Sequence, residues 1–487
     1  MEPSARRLLL TVFPPIMLPV FMAVADQTIV AAALPAIAGS LGDVRRVSWI
    51  VLSYLVANTV AAPVYGRLGD VFGRRRLMLA ALALFMVASV LCAMAGSILS
   101  LTLARVLQGL GGGGLMVLAQ ALIGESVPAQ QRGHYQGYLS AVIVCSSTFG
   151  PVAGGFLTQS FGWPAVFLVN LPLGLVALAM ARRLPAGVAI STKLRFDMAG
   201  LLLFVAFVVP LLLALEMAQR FDPGVVPGIA GWFTVSVVAL ALLLRQERRA
   251  RQPLFPLGML RQPGMWRANA MAACSGALLV SEVTFLPIYL HVVDGASPGQ
   301  IGVLMLPLTA TVGVGSLITG RLISRTGRTA VFPSVGQGVT ALTLAALAIS
   351  ARHLGLWGLP SVLAFAALFQ GTAMPVAQIT AQALAGPGML GSAAAAVQLS
   401  RSVGSAIGVA LVGAVLFALL SHTDSHAASL FGAMVQRGPS AIAFLPPERQ
   451  AALQGAIADA FGGAFVTIGA FAGISAVLAW TTPARRL

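Results

Sequence analysis

The chain has 487 residues, of which 58% are hydrophobic and only 9% are charged, and its formal net charge is +16. A soluble globular protein carries about 25% charged residues, so this composition excludes that class. The basic residues lie in short segments between long apolar stretches, so the positive charge does not indicate a nucleic-acid-binding surface.

Apolar stretches long enough to cross a bilayer recur along the whole chain. A helix needs about 20 apolar residues to cross the hydrocarbon core. We therefore predict an all-α integral membrane protein with about 14 transmembrane spans. The predicted spans are 9–34, 47–66, 77–96, 98–123, 136–159, 164–182, 197–217, 226–245, 267–291, 299–320, 329–350, 357–384, 392–420 and 462–481.

Basic residues are distributed unevenly between alternate loops. If the N-terminus is cytoplasmic, the inner segments hold 22 Lys and Arg and the outer segments hold six, while Arg105 and Arg401 lie within spans. Cytoplasmic loops of membrane proteins are enriched in Lys and Arg. We therefore predict a multi-pass protein of the bacterial cytoplasmic (inner) membrane with both termini cytoplasmic.

The two ends of the chain are related by an internal repeat, which is typical of secondary transporters. It predicts two six-helix halves, 1–184 and 253–487, with two inserted spans in 185–252. One long outer loop, 421–461, forms either a structured cap or a floppy connection. The matched segments are Gly66–Arg76 with Gly320–Arg328, Gln108-Gly109 with Gln370-Gly371, and Gly150 and Gly154 with Gly404 and Gly408.

Two carboxylates lie inside predicted spans, Asp26 in the first and Glu282 in the ninth. A charge there costs about 2.5–3.5 kcal/mol on insertion scales, so each must be protonated, paired or exposed to a wet cavity. Asp26-x-Thr28 and Glu282-x-Thr284 are offset by 256 positions, so we expect two equivalent carboxylates facing a cavity. The competing interpretations are a structural pair for Asp26 and a hydrated outer mouth for Glu282.

Two cations, Arg105 and Arg401, also lie inside predicted spans. Either could favour the charged form of a neighbouring carboxylate. The competing interpretation for both is a structural charge that donates to backbone carbonyls between helices.

Several motifs together resemble the major facilitator superfamily, and in particular its fourteen-span drug:proton antiporter branch of the quaternary-ammonium and multidrug exporter type. The resemblance covers nearly the whole chain. The matching segments are Asp26–Val30 in the first span, Gly66–Arg76 as the signature loop, Arg105–Gly109 in the fourth span, Gly150–Gly155 as the antiporter motif, and Trp163–Gly174 at the sixth span.

The resemblance implies the major facilitator fold and assigns roles to these motifs. Within these motifs, Asp26 and Arg105 are the expected proton-coupling residues, and fourteen-span exporters also tend to carry an arginine where Arg401 lies. Glu282, the second carboxylate inside a span, completes the expected proton-coupling set. The expected cytoplasmic gate contains Gly66, Asp70, Gly73 and Arg74.

Within the gate, Asp70 can cap a helix N-terminus or pair with an arginine, and so latch the two halves together. The competing interpretation is a turn that serves only topology. The second copy has Ser324 in place of Asp70, so its latch should be weaker.

Gly150, Pro151, Gly154 and Gly155 form the antiporter motif, in which Pro151 kinks the helix and the glycines offer a small face. We expect this face to pack against the opposing half, with a generic packing face as the alternative. The candidate substrate cavity is lined by Tyr54, Asn58, Gln108, Phe285, Tyr289 and Gln398, for which core packing is the alternative.

The sequence therefore predicts a proton-coupled antiporter that exports hydrophobic, cationic drugs or antiseptics by alternating access. The alternatives are an exporter of an endogenous lipid, siderophore or metabolite, and a membrane-embedded enzyme. None of the five histidines lies mid-span and no P-loop is visible, which disfavours a metalloenzyme and an ATP-driven pump. We expect no cofactor and no metal. The expected partners are small molecules, protons and the bilayer, with no nucleic acid, and the protein is expected to be a monomer, alone or with a periplasmic adaptor.

Overall fold

The computed structural model describes most of the chain, and the described part is overwhelmingly helical, which confirms the predicted all-α fold class. The described residues are 13–42, 46–128, 131–184, 197–218, 226–250, 253–254, 257–423, 430–432, 434–435, 442 and 444–482.

The helices follow the order of the predicted spans. In the first part of the chain they are α1 (Phe13–Leu41), α2 (Ser48–Phe72), α3 (Arg74–Ala93), α4 (Ile98–Ser126), α5 (Arg132–Phe161), α6 (Ala165–Leu168), α7 (Asn170–Ala181), α8 (Met198–Ala218) and α9 (Val226–Arg249). The later helices are α10 (Leu257–Leu260), α11 (Pro263–Val292), α12 (Pro298–Thr326), α13 (Val331–Ser350), α14 (Gly355–Gln370), α15 (Ala373–Ala385), α16 (Leu390–Thr423) and α17 (Pro447–Trp480).

Among the described residues, 13 helical stretches are long and apolar enough to cross a membrane. A shorter apolar stretch, Ala165–Ala181, lies where the sixth span was predicted. The chain is therefore a multi-pass membrane protein.

Local sequence signals explain where several helices begin and end. Gly73 has a φ of 92°, which separates α2 from α3 and which a residue with a side chain rarely adopts. At the start of α4, Ser97 accepts from the Ser100 N–H while the Ser100 hydroxyl accepts from the Ser97 N–H, forming a capping box. Ser297 and Gln300 form the same motif at the start of α12.

The last helix begins earlier than the sequence predicted. The predicted span starts at 462, whereas α17 starts at Pro447 and so takes up the final third of the predicted outer loop 421–461. Proline at the first helical position and Glu448 in the first turn both favour a helix start there. Most of the remaining loop, including 424–429 and 436–441, lies outside the described residues. The choice between a structured cap and a floppy connection therefore falls on residues outside the described part of the chain.

The chain divides into two compact units whose boundaries differ from those of the two halves inferred from the repeat. The first unit comprises Met1–Val209, Val235–Met265 and Gln378–Leu399, and the second comprises Pro210–Thr234, Trp266–Ala377 and Ser400–Leu487.

Helix pairing within each unit follows the repeat. In the first unit α2 packs on α4, and in the second unit the repeat-related helices α12 and α14 pack together. Segment 378–399 joins the first unit because its small residues fit against α2 and α4. Ala394 and Ala395 form a small buried cluster with Ala62 and Val117.

Candidate functional site

The first unit contains an ion pair that is shielded from solvent on every side. Asp26 lies in the middle of α1 and Arg105 lies on α4, and their side chains are 0% and 1% exposed. Arg105 Nη1 donates to Asp26 Oδ2. The sequence predicted that Asp26 would be protonated, paired or exposed to a cavity, and in this structure it is paired.

Two amide side chains complete the coordination of the Asp26 carboxylate. Its Oδ1 accepts hydrogen bonds from Gln108 Nε2 at 2.9 Å and from Asn170 Nδ2 at 2.8 Å. With Arg105, the carboxylate therefore accepts three hydrogen bonds from donors on α4 and α7. Hydrogen bonds to the charged form stabilise a buried carboxylate.

Ser89 on α3 links the two amides, and sequence reasoning missed it. Its hydroxyl oxygen accepts from Gln108 Nε2 at 2.9 Å and from Asn170 Nδ2 at 3.4 Å. The Ser89 hydroxyl also donates to Phe85 O at 2.8 Å, as serines in apolar helices commonly do. No motif marks Ser89, because its sequence context is that of an ordinary apolar span.

The Arg105 guanidinium has further partners besides Asp26. It donates to Gln108 Oε1 at 2.7 Å and to Ile50 O at 3.2 Å. Its Cζ lies 4.2 Å from the centre of the Tyr54 ring, a cation–π contact. Tyr54 is itself anchored, since its hydroxyl donates to Ala23 O at 3.1 Å. Tyr54, predicted as a cavity residue, is thus fully buried and packs its ring against the Arg105 guanidinium.

A second polar centre lies where α2 meets the start of α16, within the first unit. Asp70 Oδ1 accepts from Gly391 N at 2.8 Å, and Oδ2 accepts from Ser392 N and Oγ, each at 3.0 Å. Arg74 Nη2 also donates to Asp70 Oδ1, at 2.7 Å. Gly391 and Ser392 belong to the first turn of α16, so Asp70 places a carboxylate at a helix N-terminus, where the helix dipole favours negative charge. This is the capping role that the sequence predicted as one option.

The neighbours of Asp70 reinforce that contact. Arg74 Nη1 donates to Glu125 Oε2 at 2.6 Å, so Arg74 bridges two carboxylates. Gly66 must be glycine for packing reasons, because a Cβ there would lie 2.6 Å from Gly391 O. A cavity of about 400 Å³ opens beside this contact. The gate residues predicted from the signature loop therefore lie together in one place.

The second copy of the loop lacks such a centre. Ser324, which replaces Asp70, is half-buried, and its hydroxyl donates to Arg321 O of its own helix at 2.8 Å. This bond stays within one helix, which agrees with the expectation of a weaker latch.

The antiporter motif on α5 packs differently from the prediction. A Cβ on Gly150 would overlap Thr28, and a Cβ on Gly154 would lie 2.5 Å from Ile29 O. The partner of this small face is thus α1 of the same unit, not the opposing half. Pro151 is exposed, and a Cβ on Gly155 would meet no atom within 4 Å.

Glu282 lies on α11 in the second unit and is 2% exposed. Neither of its carboxylate oxygens has a hydrogen-bond partner among the described residues. It is therefore not at a hydrated outer mouth. Arg401, on α16, lies with its carbonyl oxygen against Gly276, and the described residues show no ion pair between Arg401 and Glu282.

The packing also corrects the expected equivalence of Asp26 and Glu282. Gly404 packs on Ala273 in the second unit as its repeat partner Gly150 packs on Thr28 in the first. This register makes Met271, not Glu282, the counterpart of Asp26. Glu282 lies eleven residues farther along its helix, which is about 16 Å at the rise of an α-helix. The sequence offset was misleading because a short motif can align out of register with helix packing.

The other candidate cavity residues have varied surroundings. Phe285 and Tyr289 are buried in the apolar core of the second unit, where the Tyr289 ring lies 5.2 Å from that of Phe461. Asn58 is half-buried beside Gly112, and Gln398 is 7% exposed. Core packing therefore describes the two aromatic residues best.

Comparison with known proteins identifies the relatives of this chain. Residues 16–409 match the model of the Major Facilitator Superfamily. The chain is 30% identical over 415 residues to Multidrug transporter protein MdtP of Bacillus subtilis, covering 85% of this chain and 76% of that protein. It is 32% identical over 305 residues to Multidrug resistance protein 3 of the same organism, covering 63% of this chain and 60% of that protein.

Solved structures show the same fold at low sequence identity. The proton:xylose symporter XylE bound to 6-bromo-6-deoxy-D-glucose superposes with a TM-score of 0.62 at 13% identity, covering 98% of this chain and 96% of that one. The human organic anion transporter MFSD10 superposes with a TM-score of 0.67 at 14% identity, covering 98% and 100%. These likenesses bear on the fold alone.

Proposed function

This chain belongs to the Major Facilitator Superfamily, and from that premise we propose that it is a proton-coupled antiporter exporting hydrophobic cations by alternating access. It is a transporter and not an enzyme. The proposal places it in the bacterial cytoplasmic membrane with both termini cytoplasmic. The observation that carries the proposal is the buried carboxylate–guanidinium pair of Asp26 and Arg105 in the middle of a membrane helix.

A buried ion pair of this kind can respond to a proton. Adding a proton to Asp26 removes its charge and leaves the Arg105 guanidinium without an anionic partner. An uncompensated buried charge costs about 3–5 kcal/mol. Protonation therefore favours a conformation in which Arg105 finds other partners, and that bias couples the proton to movement of the helices.

Two neutral acceptors already bind Arg105 beside Asp26. Gln108 Oε1 and Ile50 O both accept hydrogen bonds from Arg105 in this structure. They hold the guanidinium in place while Asp26 is neutral but do not neutralise its charge, so the bias towards another conformation remains. The site can thus exist with and without a proton on Asp26, as a carrier requires.

The contact between Asp70 and α16 supplies the gate in this proposal. It combines a helix-capping carboxylate with an arginine bridge, and it holds α2 against the start of α16. Alternating access requires this contact to break and re-form once per cycle. Arg74, which also binds Glu125, can remain paired while Asp70 releases α16.

Accumulation of cationic dyes in expressing cells tests the function directly. We expect cells producing the wild-type protein to accumulate less ethidium and tetraphenylphosphonium (TPP⁺) than cells producing Asp26→Asn at matched levels. A protonophore should abolish the difference. Asp459→Asn is the matched control, because Asp459 is an exposed carboxylate with 66% of its side chain accessible. Equal accumulation in wild-type and empty cells would contradict the export of hydrophobic cations.

A further inference from the structure

Glu282 is a buried acidic group that the proposed Asp26 centre does not use. Its side chain is 2% exposed, and within the described part of the chain both carboxylate oxygens lack a hydrogen-bond partner. Asp26, by contrast, accepts three hydrogen bonds, one of them from an arginine. The two carboxylates therefore occupy opposite environments, one fully compensated and one without compensation.

No charged group in the described part of the chain compensates the charge of Glu282. None of the charged or titratable side chains on α11, or on the helices that share its apolar core, forms an ion pair or hydrogen bond with Glu282. Those side chains are Arg267, Cys274, Tyr289 and His291 on α11, Arg321 and Arg325 on α12, Arg401 and His422 on α16, and Glu448, Arg449 and Asp459 on α17.

A carboxylate in this position is stable when it is neutral. Removing an ionised carboxylate from water without a partner costs several kcal/mol, and a proton removes that cost. Asp26 needs no proton for its burial, because Arg105 compensates its charge.

Two further buried polar atoms without a hydrogen-bond partner among the described residues lie beyond Glu282, near and just past the end of α11. Tyr289 is seven residues beyond Glu282, which places it on the same face of the helix two turns later, and its buried hydroxyl has no partner. Asp294 follows the helix end at Val292, and its Oδ2 also has no partner. Burial raises the pKa of the Asp294 carboxyl above that of an exposed aspartate. Together the three residues line one end of α11 with groups that can hold a proton.

The geometry points to Glu282 as a second proton-binding group of the carrier, separate from the Asp26–Arg105 pair and loaded from the Val292 end of α11 past Asp294 and Tyr289. This inference rests on the proposed function for its part in antiport. It implies that each transport cycle moves more protons than the Asp26 centre alone can carry.

Infrared spectroscopy of the full-length protein in lipid tests the proton directly and needs no substrate. Near neutral pH we expect the wild type to show the C=O band of a protonated carboxylic acid. Glu282→Gln should remove that band, whereas Asp26→Asn and the exposed control Asp459→Asn should retain it. Glu282→Asp should keep a protonated band, which separates loss of the proton from loss of the fold. Identical spectra for wild type and Glu282→Gln would overturn the inference.

Proton counting in proteoliposomes tests the part in transport. We expect Glu282→Gln to exchange fewer protons per TPP⁺ than wild type, while Asp459→Asn exchanges the same number. If wild type and Glu282→Gln transport TPP⁺ with equal proton ratios, the second site is wrong and the proposed antiport stands. If the infrared band depends on Glu282 but wild type does not transport TPP⁺, the proton site stands and the proposed function fails.

Removal of the Tyr289 hydroxyl tests the proposed proton route to Glu282. Tyr289→Phe keeps the ring that packs on Phe461 and removes only the hydroxyl. We expect it to keep the Glu282 band at equilibrium and to slow its response to a pH jump. A response as fast as that of wild type would remove Tyr289 from the route.

Discussion

At the scale of single residues, Asp26 and Arg105 make each other's burial possible. Each is at most 1% exposed, and each would be an uncompensated charge without the other. Such a pair either is purely structural or serves proton coupling. The two roles differ in what happens when both charges are removed together.

We expect Asp26→Asn and Arg105→Gln each to lower the free energy of unfolding by about 3–5 kcal/mol, because each leaves the other charge buried and unpaired. The double variant should recover much of that loss while remaining unable to export TPP⁺ against a gradient. Thermal unfolding in detergent and transport in proteoliposomes measure the two effects. Recovery of both stability and export in the double variant would show that the pair is only structural.

The sequence predicted part of this centre and not the rest. Asp26 and Arg105 could be found because a charge within an apolar span is rare and costly. Asn170 lies within the matched segment Trp163–Gly174, but its contact with Asp26 depends on the path of α7. Ser89 carried no signal, because serine in an apolar helix satisfies itself on its own backbone, as Ser89 does with Phe85 O.

At the scale of helices, close glycine contacts decide which pairs can approach. Gly150 and Gly154 bring α5 onto α1, and Gly66 brings α2 onto the start of α16. The glycine patterns were visible in the sequence, but the partner of α5 was not. Small residues permit close approach to any helix, and tertiary packing selects which one.

Alanine substitutions within the antiporter motif test whether the close packing of Gly154 matters for stability and transport. Gly154→Ala places a Cβ 2.5 Å from Ile29 O and 3.1 Å from Ala32 Cβ, so we expect a loss of about 1–3 kcal/mol and reduced transport. Gly155→Ala is the matched control, since a Cβ there meets nothing within 4 Å. Unfolding temperature and TPP⁺ export are the measurements. Equal effects of the two substitutions would argue against a packing role for Gly154.

The contact between α2 and α16 gives a second prediction at this scale. Asp70→Asn removes the negative charge that caps the N-terminus of α16 and pairs with Arg74. We therefore expect lower transport with normal membrane insertion. Ser324→Ala, at the matching position of the second copy, removes a bond within one helix and should leave transport unchanged. Initial rates of TPP⁺ export at matched protein levels measure the effect of both substitutions. Wild-type rates in Asp70→Asn would reduce the signature loop to a topological role.

At the scale of the whole molecule, hydropathy predicted the helix order and the repeat predicted two related halves. The pairing of α2 with α4 recurs between the repeat-related helices α12 and α14. It did not predict the boundaries of the compact units, because segment 378–399 belongs to the second half by sequence and to the first unit by contact. That grouping depends on the contacts that Asp70 and the small residues of α16 make, and a repeat alignment does not predict such contacts. The early start of α17 at Pro447 was missed for a similar reason, since hydropathy locates apolar cores and not helix ends.

The membrane topology is a prediction that depends on every helix. The 13 long spans and the shorter stretch Ala165–Ala181 together place both termini on one side of the membrane if all of them cross. We expect a reporter fused after the last residue, and one fused before the first, to be cytoplasmic. A C-terminal fusion active only on the outer side would show that one of these stretches does not cross.

Proton-driven accumulation of TPP⁺ by the purified protein in liposomes tests the central claim most directly. Valinomycin and equal potassium clamp the membrane potential, so that a pH difference with an acidic lumen is the only driving force. We predict that wild type concentrates TPP⁺ in the lumen, that nigericin releases it, and that Asp26→Asn binds TPP⁺ without concentrating it. Failure of the wild type to respond to the pH difference would contradict proton coupling. Concentration of TPP⁺ by Asp26→Asn equal to that of wild type would contradict the assignment of Asp26 as a proton carrier.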